Sequence, residues 1–289
     1  MSTIKPFQEL QFSDAFMFAA TMEDEEICRG VLERILGIPI KKVKVRSEAT
    51  LFNNSDYRGV RLDVYADDEE GTMFDVEMQT TDKKDLPKRS RIYQGQMDLV
   101  ALKPGDEYKA LPKSYIIFIC TYDPFGYEFY RYTCTTICQE NGMEIGDEAY
   151  KIYLSTKGKN ENDVPEELIH FLKYVENASY VEEGSNDSLI HKIDTRIKGI
   201  KRDHGMEVEY MLFSELLSDE RKEGRNEGRI EGETQFAMLT EKLMHDSRSE
   251  ELLKAVNDVE FREKVVSGIW NEASLNSHNC RQFLHWRQV

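Results

Sequence analysis

The amino-acid sequence predicts an α/β fold, a sheet flanked by helices, with a mostly helical C-terminal extension. Three observations indicate this class. Apolar and polar residues alternate with a period of two within Val60–Gln79, which is typical of strands with one buried face. The segment Ser114–Thr121, SYIIFICT, is apolar almost throughout, as expected for a central strand covered on both faces. From Ser188 onwards, the pattern predicts only helices.

Composition limits the possible functions. The 289 residues suffice for one large domain or a domain with an extension, and 40% hydrophobic content favours a folded chain. The net charge of −16 argues against a protein that coats nucleic acid by bulk electrostatics, so any such contact requires a local basic patch. We expect three regions: residues 1–155 as the main domain, residues 156–205 as a helical segment and residues 206–289 as a helical tail.

The cysteines predict no disulfide framework, because they are scattered and odd in number: Cys28, Cys120, Cys134, Cys138 and Cys280. Cys134 with Cys138, and Cys280 with His278 and His285, are weak candidates for metal sites; ordinary thiols and a polar tail are the favoured interpretations. Met1–Leu10 contains no apolar signal region, and no segment approaches the length of a membrane span. We therefore expect a cytoplasmic protein without membrane contact.

The N-terminal elements precede the alternating segment. Ser13 or Asp14 is a plausible N-cap for a helix that runs to about Leu36, with the acidic Glu23–Glu26 leaving open whether it is two helices. Gly37 and Pro39 end this helical region. Lys42–Phe52 is predicted to be a strand, and the turn Asn53–Asp56 leads from it.

The alternating segment is predicted to be a β-hairpin around Asp67–Gly71. If Ala66 pairs with Thr72, Asp63 lies opposite Asp75, and Glu77 and Gln79 follow on the same face. Acids that share one face need compensation by solvent, a cation or a basic residue. A divalent cation is one possibility; a solvated outer face with Arg61 as the neutralising residue is the alternative.

Asp82–Lys103 is predicted to be a helix, with Pro87 near its start and Pro104-Gly105 closing it. Its first part is basic: Lys83, Lys84, Lys88, Arg89 and Arg91. Lys88, Arg91 and Gln94 have the spacing of residues on one helix face. This face could bind phosphate, although a solvated helix start is the alternative.

The remainder is predicted to contain strands at Tyr127–Thr133 and Tyr150–Leu154, then a helix capped by Asp163 that runs to about Asn177. A repeat of period four follows in the tail, with glycines at Gly224, Gly228 and Gly232. This spacing places the glycines on one ridge of a helix, where another helix could approach closely. A flexible hinge is the alternative.

Four segments of the chain form a recognisable set: FSDAFMF from Phe12, GVRLDVYA from Gly59, FDVEMQ from Phe74 and KRSRIYQGQMDL from Lys88. Together they resemble the Rpn-type recombination-promoting nuclease and transposase family of the PD-(D/E)XK nuclease superfamily. The resemblance implies a central mixed sheet in which a helix and a three-stranded meander are followed by a helix and another strand. It covers the chain well from about Phe12 to Tyr130.

The same resemblance implies a divalent metal, foremost Mg²⁺, bound by Asp63 and Glu77. Gln79 stands where the superfamily usually has lysine, and would orient water or phosphate. Lys88, Arg91 and Gln94 would approach the phosphate from the following helix. Asp14 matches the N-terminal acid of the family, whereas Ala19 replaces a residue that is often basic. Glu48 is a further candidate ligand.

Together these features predict a metal-dependent DNA endonuclease that hydrolyses phosphodiester bonds in recombination or mobile-element biology. The catalytic residues would be Asp63, Glu77 and Gln79. A catalytically silent binding or adaptor protein with the same fold is the alternative, and RNA remains open as a substrate. The tail would support a homodimer, because a duplex has two strands to cut.

Overall fold

The structure, a computed structural model, describes residues 5–47, 50–51, 60–61, 63–179 and 187–266. Its strands are β1 (Val43–Ser47), β2 (Thr50–Leu51), β3 (Val60–Arg61), β4 (Val64–Asp68), β5 (Met73–Gln79), β6 (Ser114–Cys120), β7 (Arg131–Cys134) and β8 (Ala149–Ser155). Its α-helices are α1 (Ala15–Met22), α2 (Glu25–Leu36), α3 (Leu86–Ala101), α4 (Glu166–Glu176), α5 (Ser188–Arg202), α6 (His204–His245) and α7 (Ser249–Asn257).

The central sheet has six strands in the order β1-β4-β5-β6-β8-β7. The pairs β1-β4, β4-β5 and β7-β8 are antiparallel, whereas β5-β6 and β6-β8 are parallel. The sheet is therefore mixed. The predicted α/β class is confirmed, as is the order of an antiparallel meander, a helix and a further strand.

Helices cover both faces of this sheet. On one face, Phe74, Val76 and Met78 of β5 join a large apolar cluster with residues of α1, α2, α4 and α5. On the other face, Ile116 and Phe118 of β6 pack with Leu86, Tyr93 and Met97 of α3. The alternating side chains of β5 are thus enclosed on both sides, and α3 lies over the face that carries its acids.

Local capping explains why the N-terminal helical region is two helices. The Asp24 side chain accepts hydrogen bonds from the backbone N–H groups of Glu26 and Ile27, which starts α2 directly after α1. Gly37 ends α2 with φ of 72°, a left-handed conformation that favours glycine.

The predicted register of the hairpin is wrong by two residues. Ala66 pairs with Phe74, not with Thr72, and Tyr65 lies opposite Asp75. The cause is Asp68, whose Oδ1 accepts from the N–H groups of Glu70 and Thr72, so that β4 continues to Asp68 before the chain turns. Because the shift is even, each side chain keeps its predicted face.

Other element bounds also differ from expectation. The predicted strand Lys42–Phe52 is two strands in different sheets, since β2 pairs with β3 in a separate two-stranded sheet. The strand expected at Tyr127–Thr133 begins only at Arg131, and the helix expected from Asp82 begins at Leu86. Glu48, His278, Cys280 and His285 lie outside the described residues.

Two compact units are distinguished along the chain, Met1–Phe213 and Ser214–Val289. In the first unit, α4 and α5 contribute Leu168, Phe171, Ile193 and Ile197 to the same core as the sheet. In the second, Leu239, Leu243 and Ala255 form a small cluster. Gly224, Gly228 and Gly232 lie within α6, and apart from the adjoining residues and nearby backbone of that helix, none of the described atoms comes within 4 Å of where their Cβ atoms would be.

Candidate active site

The acids of β5 lie on the face of the sheet that α3 covers. Asp75 is fully buried and Glu77 is 2% exposed. In the parallel register of β5 with β6, these residues lie beside Ile116 and Phe118, which contact α3. The alternative interpretation of a solvated outer face is therefore wrong for these two acids.

Asp63 is tied to β5 by two hydrogen bonds, one of them to the Glu77 side chain. The Asp63 N–H donates to Oε1 of Glu77 at 3.0 Å, and the N–H of Met78 donates to Oδ2 of Asp63 at 3.1 Å. Asp63 lies one residue before the first pair of β4 with β5, Val64 with Val76, and thus opposite Glu77. The predicted neighbour was Asp75, so the corrected register is what brings the two acids together.

Arg89 of α3 donates hydrogen bonds to two polar side chains of β5, those of Glu77 and Gln79. Its Nη2 donates to Oε2 of Glu77 at 3.3 Å, and its Nη1 donates to Oε1 of Gln79 at 2.9 Å. Nη2 also donates to the Tyr93 hydroxyl at 2.7 Å, and the guanidinium lies over the rings of Tyr93 and Phe118. Arg89 therefore directly contacts two of the three predicted catalytic residues, Glu77 and Gln79.

Sequence reasoning placed Arg89 in the basic patch without assigning it a role. The available signal was its spacing, because Leu86, Ser90, Tyr93 and Met97 form the buried stripe of α3 and Arg89 lies on its border. A basic residue four positions before a buried tyrosine points toward the sheet, whereas its neighbours Lys88 and Arg91 are exposed.

The site holds more acidic groups than Arg89 alone could neutralise, and their pKa values are raised. Burial and the nearby Asp63 charge raise the pKa of Glu77 to about 8, against the opposing effects of the Asp63 N–H and Arg89. Burial, then Glu77 and Asp63, raise the pKa of Asp75 well above its usual value. Neither carboxylate oxygen of Asp75 has a hydrogen-bond partner in the described part of the chain. This excess of buried acid is what a bound cation would offset.

The donor chemistry fits a hard divalent cation. Mg²⁺ is commonly held by one or two carboxylates together with substrate phosphate and water, and Asp63 and Glu77 can supply that number. Within the described ranges, no group of three or more His, Cys, Asp or Glu side chains is arranged to hold a metal ion. The fit thus rests on two carboxylates and on the buried carboxyl group of Asp75, whose oxygens have no hydrogen-bond partner among the described residues.

The three predicted phosphate-binding residues of α3 are placed differently. Lys88 and Arg91 are exposed, whereas Gln94 is buried. The Gln94 Nε2 donates to Asp98 Oδ1 and to Ser114 Oγ, both at 2.8 Å, so this side chain ties α3 to β6. Gln94 therefore does not share the exposed face of the two basic residues.

The remaining candidates lie in other local networks. Asp14 binds Lys5 Nζ and the Gln11 N–H, both at 2.6 Å. Cys134 is exposed on β7, and Cys138 Sγ contacts Glu140. Among the described helices, none is long and apolar enough to cross a membrane.

The sheet order, the helix over its acidic face and the joined acids at the β4–β5 hairpin define a PD-(D/E)XK core. The chain belongs to the PD-(D/E)XK nuclease family transposases, since the family model of that description matches residues 12–223. The resemblance drawn from the four sequence segments is confirmed. No curated protein and no solved structure matches the chain.

Proposed function

We propose that this protein is a metal-dependent DNA endonuclease that hydrolyses phosphodiester bonds, acting in recombination or on mobile elements. The observation that carries the proposal is the hydrogen-bonded pair of Asp63 and Glu77, with Gln79 two residues further along the same strand face. This constellation lies in a chain whose family is one of nucleases.

Each residue has a role that follows from its chemistry. Asp63 and Glu77 would hold Mg²⁺, which when bound lowers the pKa of a water molecule and offsets charge on the scissile phosphate. Gln79 would orient the attacking water or a phosphate oxygen through its amide. The exposed Lys88 and Arg91 would bind backbone phosphates beside the cleavage position, and Gln94 would fix α3 in place.

A plasmid cleavage assay tests this proposal. Purified protein with Mg²⁺ should nick or linearise supercoiled DNA, and Asp63→Asn and Glu77→Gln should each lower the rate by about 100-fold or more, because groups that stabilise charge at a reacting centre contribute that much. Glu70→Gln is the matched control, since it removes one exposed negative charge from the same hairpin. This variant should cleave like the wild type.

Two outcomes would contradict the proposal in different ways. Equal cleavage by the wild type and both site variants would show that the site is wrong. Absence of cleavage with Mg²⁺ and Mn²⁺ by any form would show that the activity is wrong. Single-stranded and duplex RNA, assayed in parallel, would identify an RNA substrate.

A binding protein without cleavage is the second candidate. The ion pair between Arg89 and Glu77 favours it, because a guanidinium already compensates the carboxylate that would hold the metal. DNA binding that persists in chelator, together with no cleavage under any metal, would support this function.

The tail extends the proposal to the assembly. We propose that a second copy pairs through α6, where the glycine ridge would allow close approach of another helix. Two active sites would then be available for the two strands of a duplex.

A further inference from the structure

Arg89 contacts Glu77, a proposed ligand of the cation, and Gln79, a proposed contact of water or phosphate. We propose, on the basis of the proposed nuclease function, that Arg89 is a phosphate-binding residue that Glu77 holds until a divalent cation takes its place. Cation and DNA would then bind cooperatively, with Arg89 passing from the carboxylate to the DNA backbone.

Both carboxylate oxygens of Glu77 already accept hydrogen bonds. Its Oε1 accepts from the Asp63 N–H, and its Oε2 accepts from Arg89. Only 2% of Glu77 is exposed, and Arg89 contacts one of its two carboxylate oxygens, so a cation that binds Glu77 comes close to Arg89. A dication and a guanidinium repel each other at one carboxylate, so binding of the cation weakens the contact with Arg89.

Once Glu77 releases it, Arg89 can donate hydrogen bonds to a phosphate. A guanidinium has five N–H donors, and the described hydrogen bonds of Arg89 use three of them. Its side chain is 27% exposed, so it reaches solvent from the covered face of the sheet. Two parallel N–H donors match two oxygens of a phosphate, which a point charge such as lysine does not do.

Tyr93 and Phe118 also hold Arg89 at the site. The Tyr93 hydroxyl accepts from Nη2 at 2.7 Å, and the guanidinium lies 5.4 Å from the Tyr93 ring centroid and 5.8 Å from that of Phe118. These contacts do not depend on Glu77, so Arg89 stays beside the acids after the ion pair is lost.

Gln79 has a matching role. Its Oε1 accepts from Arg89 Nη1, so the amide holds the arginine in place. A lysine at this position would repel the guanidinium. The neutral Gln79 and the charged Arg89 therefore form one unit, in which α3 supplies the positive charge and β5 supplies its acceptor.

Binding measurements with Ca²⁺, an oxygen-seeking cation, separate this role from a purely structural one. The wild type, Arg89→Gln and Lys88→Gln are titrated with Ca²⁺ by calorimetry, and with a labelled short duplex by anisotropy in chelator and in Ca²⁺. The buffer is held at about pH 9, above the pKa of about 8 that burial gives Glu77. Melting curves establish that each variant is folded, and electrophoresis that the duplex stays intact.

We expect Arg89→Gln to bind Ca²⁺ at least as tightly as the wild type, because the competing cation is gone. In chelator its DNA affinity should stay within about twofold of the wild type, whereas in Ca²⁺ it should be about 10-fold weaker or more, the usual effect of losing a charged hydrogen bond. Lys88→Gln, the matched control, should weaken DNA binding by a similar factor in both conditions. Arg89→Lys keeps one charge without the fork of donors, so its DNA affinity in Ca²⁺ should lie between those of Arg89→Gln and the wild type. If Arg89→Gln does not fold, Arg89→Lys is used in its place.

Three results would overturn the inference. If Arg89→Gln weakens DNA binding equally with and without Ca²⁺, the contact with phosphate does not depend on the cation. If Arg89→Gln leaves DNA binding in Ca²⁺ unchanged, Arg89 does not contact DNA. This result would leave the proposed metal site intact. If no form binds Ca²⁺ with or without DNA, the metal-dependent part of the proposed function fails together with the inference.

Discussion

Asp75 and Glu77 should control how the stability of the metal-free protein depends on pH. Burial raises the pKa of both carboxyl groups in the folded state, so the folded chain retains protons that the unfolded chain releases. Stability is then fully present below the unfolded pKa and is lost as pH rises; for Glu77 the window runs from 4.5 to about 8. In chelator, the melting temperature should fall between about pH 5 and pH 8.

Variants assign this slope to the two acids. Asp75→Asn and Glu77→Gln should each flatten the decline, and the double variant should flatten it most, because a neutral amide has no proton to lose. For a domain of this size, each 1 kcal/mol recovered at the higher pH corresponds to roughly 2–4 °C in melting temperature. A slope in the double variant equal to that of the wild type would assign the effect to other groups.

At the residue scale, sequence could identify Asp63 and Glu77 but not their surroundings. The resemblance selected the two acids by motif, and alternation put them on one face. The burial of Asp75 depends on α3 covering that face, which a period of two does not reveal. Choosing Arg89 among five neighbouring basic residues requires the rotation of α3 about its axis, which follows from tertiary packing.

At the scale of elements, the α/β order was predictable because each strand and helix has a strong local pattern. The hairpin register was not, because it depends on one side chain: Asp68 closes the turn with two hydrogen bonds and so extends β4 into an acidic segment that composition alone favours as loop. The split between β1 and β2 also lacks a local signal, since both lie in one continuous β-type segment.

Helix α3 combines structural and substrate-binding residues, and mutation should separate them. Gln94→Ala removes two side-chain hydrogen bonds at a buried position, one of them to β6, and should lower the free energy of unfolding by about 1–3 kcal/mol. Its DNA affinity, measured well below its melting temperature, should match the wild type. The double variant Lys88→Gln/Arg91→Gln should weaken DNA binding and leave the free energy of unfolding unchanged, because both side chains are exposed.

Denaturant unfolding and anisotropy measurements on the same preparations decide between these roles. Weakened DNA binding by Gln94→Ala without a loss of stability would make Gln94 a direct phosphate contact, as its sequence spacing suggested. Loss of stability in the exposed double variant would indicate that Lys88 or Arg91 supports the fold.

At the scale of the whole molecule, the proposed function requires an acidic protein to bind DNA, which is itself negatively charged. The net charge of −16 opposes approach to DNA at long range, so affinity must come from a few basic residues close to the backbone. Lys88 and Arg91 are exposed on α3, the helix that packs over the face of the sheet with the buried acids Asp75 and Glu77. Sequence composition predicted the need for such a local patch, and α3 provides Lys88 and Arg91 as its exposed candidates.

The salt dependence of DNA binding tests whether this local patch carries the affinity. Each phosphate contact that a basic residue makes contributes about one unit to the slope of log K against log salt. Lys88→Gln/Arg91→Gln should therefore reduce the slope by about two units, with Ca²⁺ held constant. Lys198→Gln/Lys222→Gln removes the same charge from exposed residues that pair with acids on α5 and α6, and should leave the slope unchanged. Equal reductions in both double variants would mean that net charge, and not the α3 patch, governs binding, because only a local contact distinguishes residues that carry the same charge.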